Sequence, residues 1–322
     1  MNPADFWGPF DSKIDSFKRL SGKIERVSRK WPGKVFAWRG QVDAGWALHS
    51  SLYRRLCLTG DDDDHLPEED DLYDAESRIL IEVHRWGLHV IREVGRLSIL
   101  NQLAALQHHG APTRLIDVTF NPWIATWFAV EEKFDNTVVR YADRDARLFA
   151  IDVTDRLINE NRKFRDWEDD LHRPWPGKVA REEEDREVWQ ESRKVWRSQT
   201  FAWRPPHFDS RIAAQNGGFI FGGVPASYGP EGPVQWPKGS RDLRRWKIND
   251  VRASTSVALR PHKLNAKKGG VTQNAVYSFK IAAAAKAEIR QRLEKSFGYQ
   301  HKTIYPDLTG FALHGSSYLK SR

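Results

Sequence analysis

Apolar side chains recur every three or four positions along much of the chain, which is the period of an amphipathic helix. Over residues 11–30 the repeating positions are Ile14, Phe17, Leu20, Ile24 and Val27. This spacing predicts a helix that ends at the turn pair Pro32-Gly33. The same spacing predicts further helices over residues 73–109 with breaks at Gly87 and Gly95, 123–134, 181–196 and 283–297.

Short runs rich in β-branched and aromatic residues lie between these helices and predict strands. The predicted strands span residues 35–39, 46–48, 147–153, 212–221 and 276–281. Helices and strands are mixed along the chain, without the regular alternation that a parallel sheet requires. The sequence therefore predicts an α+β fold with a mixed sheet flanked by helices.

The composition is that of a folded protein, since 40% of the 322 residues are hydrophobic and 29% are charged. We expect a single domain over residues 1–322, because a chain of this length builds one large core readily. Residues 155–206 are dense in charge and tryptophan and contain the predicted helix 181–196. We interpret this segment as a helical insertion within the domain, whose tryptophans belong either to a core or to a partner interface.

The net charge of +8 and the pI near 9.5 are compatible with an anionic partner, of which nucleic acid is the commonest. A basic protein without a specific anionic partner fits the same numbers. Cys57 is the only cysteine, which excludes an intrachain disulfide. The N-terminal residues lack the pattern of a secretion signal, and the longest apolar run, near residues 123–130, is too short to span a bilayer. We therefore expect a cytoplasmic protein without a membrane anchor.

Three polar segments stand in apolar surroundings and are the candidates for chemistry. The first is Arg39-Gly40-Gln41, at the end of a predicted strand. An arginine there offers a planar fork of donors to a phosphate or carboxylate, and the glycine lets a ligand approach the backbone. An arginine that pairs with a structural carboxylate would look the same in the sequence.

The second segment joins two predicted helices and carries an unusual density of donors and acceptors, namely Gln107, His108, His109, Thr113, Arg114, Asp117 and Thr119. Loops with such sets on a rigid scaffold are common binding sites. Adjacent histidines do not easily share one metal, and no third ligand is evident, so we predict no metal site. The third segment contains Gln215, which either points into a cleft or satisfies a buried backbone group.

These segments, in this order, resemble the FRG domain family. The chain has Trp38-Arg39-Gly40-Gln41 where the family has its opening Phe/Tyr-Arg-Gly motif. Residues 107–122 match the family's Q-H-x-G-x-P-T-R-L-x-D-x-T-x-N-P stretch almost throughout. A later R-x-x-x-Q-x-G-x-F element is matched by Arg211, Gln215, Gly217 and Phe219, and the closing residues 305–310 are also similar.

The early Arg-Gly motif is in turn similar to that of the R-S-E group of ADP-ribosyltransferases. That resemblance implies a sheet of the ADP-ribosyltransferase type, NAD as the cofactor, and Arg39 as the clamp on its pyrophosphate. It further implies NAD contacts from Gly40, Gln41, Gln107, His108, Thr113, Arg114 and Thr119, and catalytic roles for Arg39, Gln215, Asp117 and His109. The chain departs from the pattern in one respect, because no clear Glu-x-Glu or Gln-x-Glu follows the second motif. The catalytic acid would then be Asp117, or Gln215 would suffice to orient the ribose.

The leading hypothesis is an NAD-dependent ADP-ribosyltransferase that modifies a macromolecule as a toxin-like effector of phage defence or of a toxin–antitoxin system. The positive charge favours RNA or single-stranded DNA as the acceptor, and an antitoxin protein would be a further partner. The predicted nucleic-acid contacts are Arg244, Arg245, Trp246, Lys267 and Lys268. The alternatives are a metal-independent nuclease that uses His108 and His109, or a non-catalytic module that binds a nucleotide or RNA.

Overall fold

The computed structural model describes residues 2–59, 66–92, 95–135, 138–180, 184–206, 210–226, 237–239, 242–264 and 275–314. Its α-helices are α1 (Pro3–Trp7), α2 (Phe17–Lys30), α3 (Ser51–Thr59), α4 (Glu69–Arg85), α5 (Ile99–His108), α6 (Pro122–Val130), α7 (Arg186–Ser198), α8 (Ser210–Ala214), α9 (Ile248–Arg252), α10 (Lys286–Phe297), α11 (His301–Ile304) and α12 (Leu308–His314). Its strands are β1 (Ser12–Ile14), β2 (Phe36–Gln41), β3 (Val90–Ile91), β4 (Gly95–Arg96), β5 (Ile116–Thr119), β6 (Lys133–Asp135), β7 (Val138–Arg140), β8 (Ala146–Asp152), β9 (Phe201–Trp203), β10 (Gly217–Phe221), β11 (Pro237–Gly239), β12 (Asp242–Arg245), β13 (Arg260–Pro261) and β14 (Ala275–Ile281).

Within these residues the main sheet has eight strands in the order β1-β14-β8-β2-β5-β10-β9, and β13 also pairs with β14. The pairs β1–β14 and β13–β14 are parallel, and the others are antiparallel. The predicted α+β class with a mixed sheet flanked by helices is therefore confirmed. The segment predicted to be an insertion, residues 155–206, ends in β9, which pairs with β10 at one edge of this sheet.

Apolar side chains cover both faces of the sheet, which explains why β8 is buried at every position. Leu148 and Ala150 pack with α2, α6 and α10 on one face, whereas Phe149 and Ile151 pack with α1 on the other. This alternation follows from the two-residue period of a strand. The central strand β2, which carries Arg39, is thus held between two cores.

Several predicted boundaries were wrong, each for a local reason. The predicted helix over residues 11–30 begins only at Phe17, because Ser16 caps it and residues 12–14 instead pair with β14. The predicted helix over 123–134 ends at Val130, and the residues that follow form the β6–β7 hairpin. Residues 210–214 of the region around the predicted strand 212–221 are helical, and only Gly217 to Phe221 form a strand.

The long region over residues 73–109 is interrupted near the two glycines that were predicted as breaks. Gly87 and Gly95 have φ values of 70° and 89° in the left-handed region, and the short β3–β4 hairpin lies between α4 and α5. The predicted extended piece at 46–48 forms a single bridge, between Leu48 and Thr255. The acidic run at 61–64 lies outside the described residues.

Gly40 fixes the distance between β2 and helix α6. A Cβ atom at this position would lie 1.9 Å from the carbonyl oxygen of Ala125 and 2.6 Å from the backbone nitrogen of Ala129. The sequence-based interpretation of this glycine as an opening for a ligand was therefore incomplete, because the helix backbone already fills the space. The glycine of the Arg-Gly motif lets α6 pack directly on the central strand.

Candidate functional site

A cavity of about 340 Å³ opens beside the middle of the sheet, where β2, β5 and the start of β10 meet the ends of α5 and α6. Its volume lies within the range of small-molecule sites. Most of the residues predicted to form a site line this cavity, namely Arg39, Gly40, Gln41, Gln107, His108, Asp117, Thr119 and Gln215. Segments far apart in the sequence are thus brought together by the order of the strands.

Arg39 presents a partly paired guanidinium to the cavity. Its Nη1 donates a hydrogen bond to the backbone carbonyl of Asp117 and lies 3.6 Å from the Asp117 carboxylate, which is mostly exposed. Its Nε is buried and has no hydrogen-bond partner in the described part of the chain. Burial lowers the pKa of Arg39 and the nearby Arg54 adds to this effect, while Asp117 opposes it. The positive charge of Arg39 is therefore only partly neutralised by neighbouring groups, and it remains able to attract an anionic ligand.

A chain of side-chain hydrogen bonds fixes the loop between α5 and β5. Gln107 donates to both carboxylate oxygens of Asp117 at 3.3 and 3.2 Å, and its Oε1 accepts from Thr113 at 2.6 Å. Ser51 adds a further donor to the same Oε1 at 3.2 Å. Asp117 is therefore held beside Arg39 by a second residue of the same motif, which fixes both groups on one wall.

Gln215 lines the cavity and also donates a hydrogen bond to a backbone carbonyl, so its position agrees with both interpretations of the sequence. Its side-chain Nε2 donates to the backbone carbonyl of Ile304 at 3.0 Å, and its backbone carbonyl accepts from the Thr119 hydroxyl at 2.6 Å. These bonds tie α8, β5 and α11 together at the mouth of the cavity. Because the amide is already engaged, Gln215 is better suited to holding the wall than to orienting a ribose.

Glu131 is the residue that the sequence interpretation missed. It follows α6 directly, lines the cavity and is only 3% exposed. Tyr305 donates to it at 3.0 Å, and Lys133 lies 2.5 Å away. Burial raises the pKa of Glu131, although Lys133 and Tyr305 pull it back. The available signal was a carboxylate placed immediately after the apolar helix that begins at Asn121-Pro122, whereas the ADP-ribosyltransferase pattern predicts a Glu-x-Glu on a later strand.

Aromatic rings form much of the remaining wall. Trp46 is 40% exposed and packs edge-on against Tyr141 at 5.0 Å between ring centroids. Phe128 packs against Tyr305 at 6.1 Å. Trp46, Phe128 and Tyr305 all line the cavity. A flat heterocycle would find apolar faces here next to the charged groups.

His109, Thr113 and Arg114 were predicted site residues, but the structure places none of them on the cavity wall. His109 is exposed at the end of α5, with its ring 5.0 Å from that of His108. Thr113 is fully buried and supports Gln107 from behind. The prediction that these three residues contact a ligand in this cavity is therefore not supported by their positions.

Arg114 lies instead in a buried network. Its Nε donates to Glu76 at 2.6 Å and its Nη1 to Glu69 at 3.2 Å, and both carboxylates are buried. The guanidinium carbon lies 5.0 and 5.3 Å from the ring centroids of Trp175 and Trp196. Burial lowers the pKa of Arg114, but Glu76 and Glu69 outweigh it and raise the pKa overall. The structure thus gives this motif arginine a structural role.

The tryptophans of residues 155–206 mostly fill this core. Trp175 and Trp196 stack with their ring centroids 5.3 Å apart, and both are buried, as is Trp203. These positions favour the core interpretation over that of a partner interface.

The predicted nucleic-acid residues are placed only in part. Trp246 is half-buried, packs against Phe6 at 5.5 Å between centroids, and has Lys238 over its ring. Arg245 is exposed. Lys267 and Lys268 lie outside the described residues, as does the side chain of Arg244. The packing of Trp246 leaves one face less free for stacking on a base than the sequence suggested.

The fold and the cavity together define an α+β protein with a polar and aromatic pocket against the central strand of a mixed sheet. The family model of the FRG domain matches residues 34–137, so the chain contains an FRG domain, as the resemblance predicted. The matched residues include Arg39, Asp117 and Glu131, which come from both sides of the cavity. No curated protein and no solved structure matched the chain. The likeness of the sheet to that of ADP-ribosyltransferases stays a prediction.

Among the described residues, no three histidine, cysteine, aspartate or glutamate side chains are grouped so that they could hold a metal ion. In the same part of the chain, no helix is both long enough and apolar enough to cross a membrane.

Proposed function

We propose that this protein is an ADP-ribosyltransferase that binds NAD in the cavity beside Arg39 and transfers ADP-ribose to a nucleic acid, either RNA or single-stranded DNA. The observation that carries the proposal is the shared cavity of Arg39 and the buried Glu131, walled by aromatic rings. These groups match the parts of NAD, which are an anionic pyrophosphate, ribose hydroxyls and a flat cationic heterocycle. Arg39 would hold the pyrophosphate, since its fork of donors suits phosphate oxygens.

The reaction asks the protein mainly for positioning and charge stabilisation. The bond between C1′ of the ribose and the nicotinamide nitrogen breaks, and its electron pair moves to the ring, which leaves as neutral nicotinamide. The oxocarbenium-like centre at C1′ then accepts a lone pair from the acceptor, whose proton passes to a base. A fixed carboxylate close to the ribose stabilises this positive centre.

Glu131 and Asp117 divide these tasks according to their surroundings. Glu131 is buried and held by Tyr305 and Lys133, so it suits a fixed contact with the ribose hydroxyls. Asp117 has a side chain that is 59% exposed and therefore suits the mouth, where the acceptor's proton would be released. Glu131 thereby supplies the acid that the sequence pattern lacked, while Gln215 holds the wall.

A nucleic-acid acceptor is favoured by the net charge of +8. An enzyme that modified RNA or single-stranded DNA in its own cell would act as a toxin, which fits the hypothesis of phage defence or a toxin–antitoxin pair. An antitoxin would then be the natural partner protein.

The direct test is to incubate the protein with labelled NAD and separate pools of RNA, single-stranded DNA and protein. Arg39→Ala serves as the test variant, and Arg162→Ala, at an exposed arginine far along the chain, is the matched control. We expect label in one nucleic-acid pool, lost in Arg39→Ala and kept in Arg162→Ala. Degradation of RNA or DNA without NAD would instead support a nuclease that uses His108 and His109. If every pool and the NAD stay intact, the protein would be a binding module.

A further inference from the structure

The exposed side of α2 carries an unusually uniform positive charge. Arg19, Lys23, Arg26 and Lys30 follow one another at spacings of three and four residues, so they form a line along one side of the helix. Lys18 and Arg29 lie beside this line. Leu20, Ile24 and Val27 are the buried positions of the helix and pack into the core, which fixes the orientation of the helix. We call these six cationic positions the basic face of α2.

Few carboxylates neutralise this face. Asp15 pairs with Arg19 at 2.8 Å, and Glu25 lies 3.6 Å from Arg29, both as exposed pairs. Within the described part of the chain, no carboxylate pairs with Lys18, Lys23 or Arg26. Burial lowers the pKa of Lys23, and the charges of Arg26 and Arg19 lower it further. The cations therefore stand close enough to repel one another, a cost that a bound polyanion would remove.

An open groove runs through the basic face where Gly22 provides no side chain. The groove has a volume of about 490 Å³ and is lined by Lys18, Arg19, Lys23, Arg26 and Arg29, together with Gly22, Asp15 and Ser16. A Cβ atom at Gly22 would meet nothing within 4 Å. The packing of α2 therefore does not require this glycine, although glycine weakens the interior of a helix. Its effect is to let a ligand approach the helix backbone between the cations.

From this geometry we propose that the basic face of α2 is a docking surface for the sugar–phosphate backbone of a nucleic acid, which passes along the groove at Gly22. A row of cations on a rigid helix matches the regular spacing of phosphates and reads no base, so the surface would be tolerant of sequence. No aromatic side chain is among the described residues that line the groove, which distinguishes this surface from the Trp246 region. If the proposed transferase function is correct, this surface would hold the nucleic acid that accepts ADP-ribose. The proposal that the surface binds nucleic acid does not depend on that function.

Binding of labelled single-stranded RNA to the full chain, measured by fluorescence anisotropy without NAD, tests the docking surface. The test variant is Arg19→Gln/Lys23→Gln/Arg26→Gln, and the matched control is Arg162→Gln/Arg165→Gln/Arg186→Gln. The control removes the same charge from exposed arginines of another region. Titrations between about 50 and 200 mM salt give the slope of log K against log salt.

We expect the test variant to bind at least about tenfold more weakly and to lose about 2 from the magnitude of the salt slope, for three lost phosphate contacts. The control should change the affinity less than about twofold, since long-range charge is screened at these salt concentrations. Equal losses in both variants, or unchanged binding in the test variant, would overturn the proposal. Binding of the wild type to anionic lipid vesicles, with no binding to RNA, would also overturn it.

Gly22→Leu is a second test that does not depend on charge. It fills the groove while favouring the helix, so we expect several-fold weaker RNA binding with no loss of thermal stability. Unchanged RNA affinity in Gly22→Leu would contradict passage along the groove. Arg39→Ala should bind RNA as the wild type does, which separates the two proposals. A failure of transfer with intact α2-dependent RNA binding would count against the transferase alone.

Discussion

Arg39 and Arg114 belong to the same set of family motifs, yet the structure uses them in opposite ways. Arg39 lines an open cavity and pairs at 3.6 Å with one largely exposed carboxylate. Arg114 is fully buried against the stacked pair Trp175 and Trp196 and pairs with two buried carboxylates. Burial lowers the pKa of Arg39, whereas the two glutamates raise that of Arg114. The balance of surrounding charge, rather than the residue type, therefore separates the arginine proposed to bind a ligand from the structural one.

The difference also predicts different roles for the two regions. A cation whose charge is already matched by two carboxylates gains little from an added anion. Its loss, however, would leave the buried Glu69 without its arginine and the buried Glu76 with only Arg173 as an arginine partner, at 3.3 Å. A cation whose charge is only partly neutralised, such as Arg39, can bind a phosphate favourably. Its loss leaves no buried carboxylate without a partner, because Asp117 is largely exposed. Stability should therefore depend on the Arg114 region and activity on the Arg39 region.

The largest expected effect on stability comes from Arg114→Met. This change leaves Glu69 and Glu76 without their shared partner, and breaking a buried ion pair in this way costs about 3–5 kcal/mol. Arg39→Met removes a partly exposed pair and should cost less than about 1 kcal/mol. Urea unfolding of both variants measures the difference directly. Similar free energies of unfolding for the two variants would contradict the claim that stability depends on Arg114 and not on Arg39.

The largest expected effect on activity comes from Arg39→Ala. Loss of the clamp on the pyrophosphate should lower the rate of nicotinamide release by about 10²-fold, because the ribose is no longer held in position. Arg39→Lys keeps the charge but loses the fork, so it should recover only part of the rate. Both variants should unfold within about 4 °C of the wild-type temperature. Full activity in Arg39→Ala would show that Arg39 does not contribute to the NAD site.

Gly40, next to Arg39, and Gly22, on α2, should respond in opposite ways to an added Cβ atom. Gly40→Ala would place a Cβ atom 1.9 Å from the carbonyl oxygen of Ala125. We expect it to lower the free energy of unfolding by about 1–3 kcal/mol, because α6 must move away from β2. Gly22→Ala meets no neighbour and should raise the free energy of unfolding by about 0.5–1 kcal/mol. Thermal unfolding of both variants measures these changes. Destabilisation by Gly22→Ala would contradict the conclusion that the packing of α2 does not require this glycine.

His49 provides a separate test, through the pH dependence of stability. Burial lowers its pKa to about 4, although the hydrogen bond from its Nε2 to the carbonyl of Arg252 at 2.7 Å opposes this shift. The folded state thus prefers neutral histidine, so stability is complete above about pH 6.5 and falls as the pH drops from about 6.5 to about 4.

At about pH 5 the expected loss is about 2 kcal/mol relative to neutral pH. His49→Gln keeps an amide donor for the carbonyl of Arg252 and does not titrate. It should show a smaller loss of stability over the same interval in urea unfolding. An unchanged pH dependence in this variant would assign the effect to other groups.

The sequence predicted the fold class and one side of the site well. The motif residues lie at the ends of apolar strands, and because β2, β5 and β10 are neighbours, Arg39, Asp117 and Thr119 meet where the pattern placed them. The strands β8 and β14 were predicted within a residue or so of their ends, since they are continuous apolar runs.

The sequence could not distinguish Arg114 from Arg39, because the partners of Arg114 are set by tertiary packing. Glu69 and Glu76 lie 45 and 38 positions earlier in the chain, and Trp175 and Trp196 follow much later. Glu131 was missed for a related reason. Its burial depends on where α6 ends and on Tyr305, which approaches from 174 positions away. Contacts of this kind carry no local pattern.

The most direct test of the central claim is calorimetric titration of NAD into the wild type, Arg39→Ala and Glu131→Gln. If Arg39 clamps the pyrophosphate and Glu131 acts on the ribose during bond breaking, Glu131→Gln will bind NAD while releasing no nicotinamide. Arg39→Ala will then bind NAD at least about tenfold more weakly. Equal NAD affinity in all three proteins, or nicotinamide release by Glu131→Gln at the wild-type rate, would contradict the assignment of this cavity as the site of NAD cleavage.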